Sequence, residues 1–228
     1  MVSASGPVSR RERPAKPALS RRWIVDTAVR VMRSEGLDKV TMRRLAKELD
    51  TGPASLYVYV SSTAELHAAV LDALLGEVDL AAEDAGPGWR EQLIGVLTSY
   101  TLTLMEHPQL ARSALVARPS ERNYLNLVER ILDLLARSGA PREQVAWGVD
   151  ALLQYATAAA AEHGTQRRSP SHEADMSALR RTLQDADDAT HPAIKAHLPE
   201  LISGPKGRLA WGFAALINGV VHTPLPER

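Results

Sequence analysis

The stretch Thr41-Met42-Arg43-Arg44-Leu45-Ala46-Lys47-Glu48-Leu49-Asp50-Thr51-Gly52-Pro53-Ala54-Ser55-Leu56-Tyr57-Val58-Tyr59 decides the fold. Thr41 suits an N-cap, and Met42, Leu45, Ala46 and Leu49 then recur on one face of a short helix. Asp50-Thr51-Gly52 breaks that helix. Pro53 fits the first position of another, about 53–59, because its missing N–H is not needed there. Two short helices joined by a tight turn and braced by a preceding helix form a helix-turn-helix. Gly52, Pro53, Ala54 and Ser55 keep the second helix thin at its N-terminus, where backbone N–H groups favour phosphate. Arg43, Arg44 and Lys47 cluster on the first helix, and Tyr57, Val58 and Tyr59 close the second. Arg takes guanine bidentately, while Lys and Tyr hydroxyls suit phosphates. The competing readings are a solvated face for the three cations and partial packing for the two tyrosines.

Working outward, Ser20 is the expected N-cap of the bracing helix, which carries Ile24, Ala28 and Val31 and stops at Gly36. Ser62-Thr63-Ala64-Glu65 is a capping box that opens a connecting helix over 62–80, with Leu66, Val70, Leu74 and Val78 on one face. Helices are then expected over 89–106, 108–118, 120–138, 142–163, 173–188 and 206–221, separated by Gly, Pro and Ser punctuation. No stretch sustains strand alternation, so the fold class is all-α. The punctuation divides the chain into a flexible basic arm (1–18), the helix-turn-helix segment (19–61) and a longer helical remainder (62–228).

The chain has 228 residues with 27 Lys and Arg against 27 Asp and Glu, a net charge of zero that at first argues against a nucleic-acid partner. The balance is a cancellation. Residues 1–60 hold 12 basic and 6 acidic side chains, a net of +6, and residues 61–228 hold 15 and 21, a net of −6. An acidic remainder repels the duplex and leaves the basic quarter as the favourable approach. The absence of Cys excludes a disulfide framework and a Cys nucleophile and points to the cytoplasm. The N-terminus lacks the apolar core of a secretory signal. The densest apolar run, 209–221, is too short for a membrane span.

The segments Ile24-Val25-Asp26-Thr27-Ala28, Glu35-Gly36-Leu37, Val40 to Ala46 and Leu56-Tyr57-Val58-Tyr59-Val60 resemble the tetracycline-repressor (TetR) family of transcriptional regulators. The resemblance is strongest over residues 20–80. Beyond it, Arg118-Pro119-Ser120-Glu121 and the helix over 143–162 are similar to the regulatory core of the tetracycline-responsive branch. The resemblance implies a three-helix DNA-binding domain (19–61) and a helical ligand-binding and dimerisation domain (62–228), with Arg43, Pro53, Ala54, Ser55 and Val58 facing bases and Thr41, Tyr57 and Tyr59 touching the DNA backbone. Where the family often has Lys near the start of the fourth helix, this chain has Thr63, with Ser61 and Ser62 beside it. Those hydroxyls can donate hydrogen bonds but add no charge. A basic arm, Arg10 to Lys16, is positioned in sequence to compensate.

Tyr100, Met105, Arg118, Tyr124, Trp147, Gln154 and Tyr155 are the ligand-pocket candidates implied by the resemblance, with core packing, or a surface ion pair for Arg118, as the alternative. Ala114 stands where the tetracycline-binding branch has a His that helps bind drug with its metal, so a magnesium–tetracycline ligand is not implied. The seven His residues show no zinc spacing, and no catalytic or nucleotide-binding motif is found, so no cofactor or reaction is expected. Leu209 to Ile217 is apolar all round. With the Ala-rich end of the long helix (Ala156, Ala158 to Ala161) it suggests a two-fold four-helix contact. The expected protein is a homodimeric repressor on a pseudo-palindromic double-stranded DNA operator, released by a small apolar or amphipathic molecule. The alternative, motivated by Thr63, is a helical small-molecule-binding protein without specific DNA binding.

Overall fold

A computed structural model describes residues 18–83, 87–115, 121–166, 169–203 and 207–226, and among these the chain is helical without strands. The first helix, α1 (Arg21–Glu35), begins where Ser20 Oγ accepts the Trp23 N–H at 3.2 Å. It ends at Gly36, whose φ of +93° is open to a residue without Cβ. After a 3-10 turn at Leu37–Lys39, Thr41 caps α2 (Met42–Glu48) by accepting the Arg44 N–H. Asp50 turns the chain at φ +49°, and Pro53 opens α3 (Pro53–Tyr57), two residues shorter than the sequence suggested. Leu56 pins α3 to the core and is fully buried. Ser62 then caps α4 (Thr63–Leu75).

The connecting helix was expected to reach residue 80, but α4 stops at Leu75. Gly76 follows, and Asp79 Oδ1 accepts the N–H groups of Ala81 and Ala82, so an aspartate turn replaces another helical turn. The body consists of α5 (Trp89–Met105), α6 (Pro108–Ala114), α7 (Arg122–Ala136) and α8 (Arg142–Gln166), followed by α12 (Arg208–His222). Between α8 and α12 lie α9 (His172–Gln184) and two short helices that periodicity did not reveal, α10 (Pro192–Ala196) and α11 (Leu198–Leu201). None of these three buries a residue. Residue 120, the expected cap of α7, lies outside the described residues, as does all of the basic arm except Ala18. Glu121 holds the N-cap position instead.

One hydrophobic core runs without interruption from Ile24 in α1, through Leu66, Val70 and Leu74 of α4, to Ile217 in α12. Two glycines set the close approach of α8 to α12. A Cβ on Gly148 would stand 2.5 Å from Val220 Cγ1, and one on Gly212 would stand 2.2 Å from the Tyr155 hydroxyl. Gly148→Ala is therefore expected to destabilise the protein by about 1–3 kcal/mol. Adding Val220→Ala removes the obstructing methyl and should recover part of that loss. Urea denaturation of the two single variants and the double variant checks this through its departure from additivity.

Candidate nucleic-acid interface

The surface around α3 is built by what stays outside the core. Gly52, Pro53, Ala54 and Ser55 are all exposed, as are Tyr57 and Tyr59, and Val58 is 80% exposed. Leu56 and Val60 between them point inward, so the short helix presents one face to solvent while being held by the other. A valine that open gains nothing from folding by burial. It is available to contact the apolar part of a groove, such as a thymine methyl.

On α2 the three cations separate into two roles. Arg43 and Lys47, one turn apart, are exposed, and among the described residues neither carries an ion pair. Arg44, grouped with them on sequence grounds, is occupied differently. Its Nη2 and Nε donate to the two Glu35 carboxylate oxygens at 2.6 and 3.2 Å, and its Nη1 donates to Glu48 at 2.8 Å. Arg30 approaches the same Glu48 at 3.9 Å. This cluster ties the end of α1 to α2, so Arg44 braces the head. The hydrogen bonds to Glu35 and Glu48 raise the Arg44 pKa. The same bond from Arg44 holds the Glu35 carboxyl below its usual range.

Thr41 is exposed, with its hydroxyl accepting the Arg44 N–H. Ser62 Oγ accepts the Glu65 N–H at 3.1 Å, and Thr63 is exposed. The reciprocal half of the capping box is displaced by one residue, since Glu65 Oε2 accepts from both the N–H and the Oγ of Ser61, at 2.7 and 2.6 Å. Those bonds, the hydroxyl's first, hold the Glu65 carboxyl below its ordinary value.

The ligand-pocket candidates are not brought together. Tyr100 is buried, its hydroxyl sharing a 2.8 Å hydrogen bond with Thr157 Oγ1 between α5 and α8. Tyr155 meets Phe213 edge-to-face at 5.4 Å. Met105 and Tyr124 are half-buried against the core, and Tyr124 donates its backbone N–H to Asp72. Trp147 is 51% exposed on the outer side of α8, and Gln154, also exposed, donates to Asp150. Arg118 lies outside the described residues. A groove of about 660 Å³ opens elsewhere, on the outer side of α5, lined by Ile94, Gly95, Thr98, Ser99, Leu102 and Thr103, with Glu77, Asp79, Glu91 and Glu106 at its walls. The signal that marks it in the sequence is a stripe of small and hydroxyl residues at spacings of three and four along an otherwise apolar helix.

Residues 24–70 match the N-terminal domain of bacterial regulatory proteins of the tetR family, and residues 82–223 match the tetracyclin repressor-like C-terminal domain. The chain belongs to the TetR family. Among curated relatives, an HTH-type transcriptional regulator from Saccharopolyspora erythraea is 30% identical over 91% of this chain and 87% of its own length. The crystal structure of a transcription regulator from Streptomyces coelicolor shares 67% identity and superposes with a TM-score of 0.75, covering 93% of this chain and all of the other. The Streptomyces coelicolor protein ActR in complex with actinorhodin is 32% identical with a TM-score of 0.79, over 90% of this chain and 96% of ActR. This TetR-family chain is accordingly a DNA-binding transcriptional regulator, as its relatives are, and the exposed face of α2 and α3 lies within its DNA-binding domain. Among its described residues no helix is long and apolar enough to cross a membrane, and no cluster of three metal-ligating side chains occurs.

The two lowered carboxyls give the head an acid dependence. Stabilisation from a depressed carboxyl is complete above its unfolded value, about 4.5, and is lost as pH falls through the lower folded value. The thermal midpoint should stay level from pH 7 to about pH 5 and fall below pH 4.5. In the double variant Glu35→Gln, Glu65→Gln the fall should be shallower, as followed by circular dichroism. An equal fall in both proteins would show that these two carboxyls carry none of it.

Proposed function

We propose that the chain is a homodimeric repressor working in the cytoplasm, that it reads a pseudo-palindromic operator through α3 and the Arg43–Lys47 face of α2, and that a small amphipathic molecule releases it. The domain division at 19–61 and 62–228 is part of this reading, with α4 joining the two parts. The observation that carries it is the pairing of two exposed cations without an ion pair among the described residues, Arg43 and Lys47, with a short helix whose outward residues are small, aromatic or, at Val58, aliphatic. Cations position a duplex by its phosphates, and a thin helix gains access to base edges. In this reading Arg43, Gly52, Pro53, Ala54, Ser55 and Val58 meet bases. Thr41, Lys47, Tyr57, Tyr59, Ser62 and Thr63 meet the backbone, and Arg44 acts from behind as a brace.

Dimerisation is supported by the outer face of α8 and α12. Trp147, Ala151, Gln154 and Ala158 recur at helical spacing on α8 and are exposed, and Trp211, 73% exposed, lies with exposed Ala215 on α12. Ala156, Ala160 and Ala161, part of the Ala-rich stretch first assigned to the contact, are buried in the protomer's own core, so the proposed interface is centred on the two tryptophans. Large exposed aromatics on paired helices fit a self-complementary two-fold contact. Such a dimer places its recognition helices on half-sites about 34–36 Å apart or a multiple of that.

The α5 groove has the mixed chemistry an amphipathic ligand needs, with Ile94 and Leu102 for an apolar body and Thr98, Ser99 and Thr103 for polar substituents. ActR, whose structure holds actinorhodin, is the relative that motivates a small-molecule effector. Release follows if the molecule prefers one head spacing and DNA the other, in proportion to that preference.

The test is a gel-shift titration on DNA from upstream of the protein's own gene. Wild type should give a discrete complex that resists unrelated competitor DNA, and Arg43→Ala should weaken it at least tenfold, about the worth of one bidentate guanine contact. Sequence-independent retention by wild type, lost equally to any competitor, would overturn the repressor reading.

A further inference from the structure

The head meets the body at a junction that the DNA face and the groove do not explain. Glu121 occupies the N-cap position of α7, yet its carboxylate caps nothing in its own helix. It reaches instead to the first residue of α1, one hundred positions earlier, where Arg21 donates Nη2 and Nη1 to its two oxygens at 2.6 and 3.1 Å. The cap of α7 is supplied from another helix. Asp72 of α4, only 5% exposed, accepts the Tyr124 N–H at 2.9 Å and the Asn123 N–H at 3.3 Å, and Asn123 Nδ2 returns a bond to the Asp72 carbonyl at 2.9 Å. A buried carboxylate at a helix N-terminus satisfies donors that would otherwise be orphaned and sits favourably in the helix dipole.

Arg21 has a second acid beside it, Glu65 Oε1 at 3.6 Å. Glu65 is the residue whose other oxygen is fixed by Ser61, the position that precedes the α4 cap and is the fourth after the end of α3. The Arg21 guanidinium therefore touches the first turns of α1, α4 and α7 together. Glu65 and Asp72 are seven residues apart on α4, so α7 is fastened to that helix directly at Asp72 and, two turns away, through the Arg21 side chain of α1 that lies between Glu65 and Glu121.

We propose that Arg21 and Glu121 are positioning residues for operator recognition, which hold the head at a fixed angle on the body so that, provided the chain binds an operator as a dimer, both α3 helices arrive at the half-site spacing together. Without the clasp each head samples more orientations. Ordering two loosened heads at once weakens binding to a two-half-site operator, while binding to unrelated DNA, which needs no fixed spacing, is untouched.

The sign of one substitution separates this role from simple charge. Glu121→Gln removes a negative charge from the body, which by long-range electrostatics alone tightens DNA binding. The positioning role demands the reverse. In fluorescence anisotropy titrations of full-length protein at constant salt, Glu121→Gln should bind the labelled upstream DNA about 3- to 10-fold more weakly than wild type, the scale of losing a half-exposed pair from two heads. Its affinity for unrelated DNA of equal length should equal that of wild type or be slightly tighter, because the lost charge acts on any duplex and the clasp does not. The exchange Arg21→Glu, Glu121→Arg restores opposite charges across the junction and should recover operator affinity relative to either exchange made singly. Operator affinity equal to or tighter than wild type in Glu121→Gln overturns the proposal, as does a charge exchange that binds no better than its single components. A wild type without preference for the upstream DNA would instead defeat the operator reading itself, before any variant is compared.

Discussion

Everything in this molecule depends on α4 being packed from both sides. Leu66, Val70 and Leu74 have no exposed surface, and the cluster they join contains residues of α1 and α2 as well as residues of α5, α7 and α8. A helix that belongs to two layers of packing cannot tilt against one without disturbing the other, because close-packed interiors shift between discrete arrangements and do not yield smoothly. The face that carries function lies just upstream, since α3 is separated from α4 by only five residues. Any displacement of α4 is thus delivered to the recognition helix with little slack.

The distribution of charge works with that arrangement. The overall balance of 27 against 27 conceals a basic N-terminal quarter and an acidic remainder. In the structure the head's own cations divide again. Arg44 and Arg30 are engaged with Glu35 and Glu48, and Arg21 and Arg33 reach Glu121 and Glu77 across the junction with the body. Among the described residues, the cations of α2 without an ion pair are Arg43 and Lys47, although Lys47 helps to lower the Glu35 carboxyl. Ion pairs of this exposed kind contribute little stability singly. Their effect here is geometric: they orient helices and leave the unpaired cations on one surface.

The parts of the fold legible in the sequence were those fixed locally. Ser20, Thr41 and Ser62 cap the helices they were expected to cap, and Pro53 opens α3, because each of these choices involves partners within three residues. The end of α4 was misplaced because Val78 continues the apolar spacing while Gly76 and the Asp79 turn redirect the backbone. The braces were illegible for a different reason. Arg44 and Glu35 are nine residues apart, and Arg21 and Glu121 one hundred, so no pattern within a window could pair them. Asp72, in the same way, caps α7 through the N–H groups of Asn123 and Tyr124, 51 and 52 residues further on. Likewise Tyr100 and Tyr155 turn inward to Thr157 and Phe213, and the groove takes its walls from the opposite side of α5. Apolar and polar residues are mixed around α5, so its spacing alone did not say which side faces the body.

The central claim is that α4 makes head and body one cooperative unit. Native-state hydrogen exchange, read by mass spectrometry over peptides from α1, α4 and α7, tests it most directly. The account predicts that the slowest amides of α4 around Leu66 to Leu74 and those of the buried face of α1 open with the same free energy as the slowest amides of α7, and respond alike to added denaturant. A head whose α1 and first turns of α4 exchange together at far lower protection, while α7 stays protected, would contradict it.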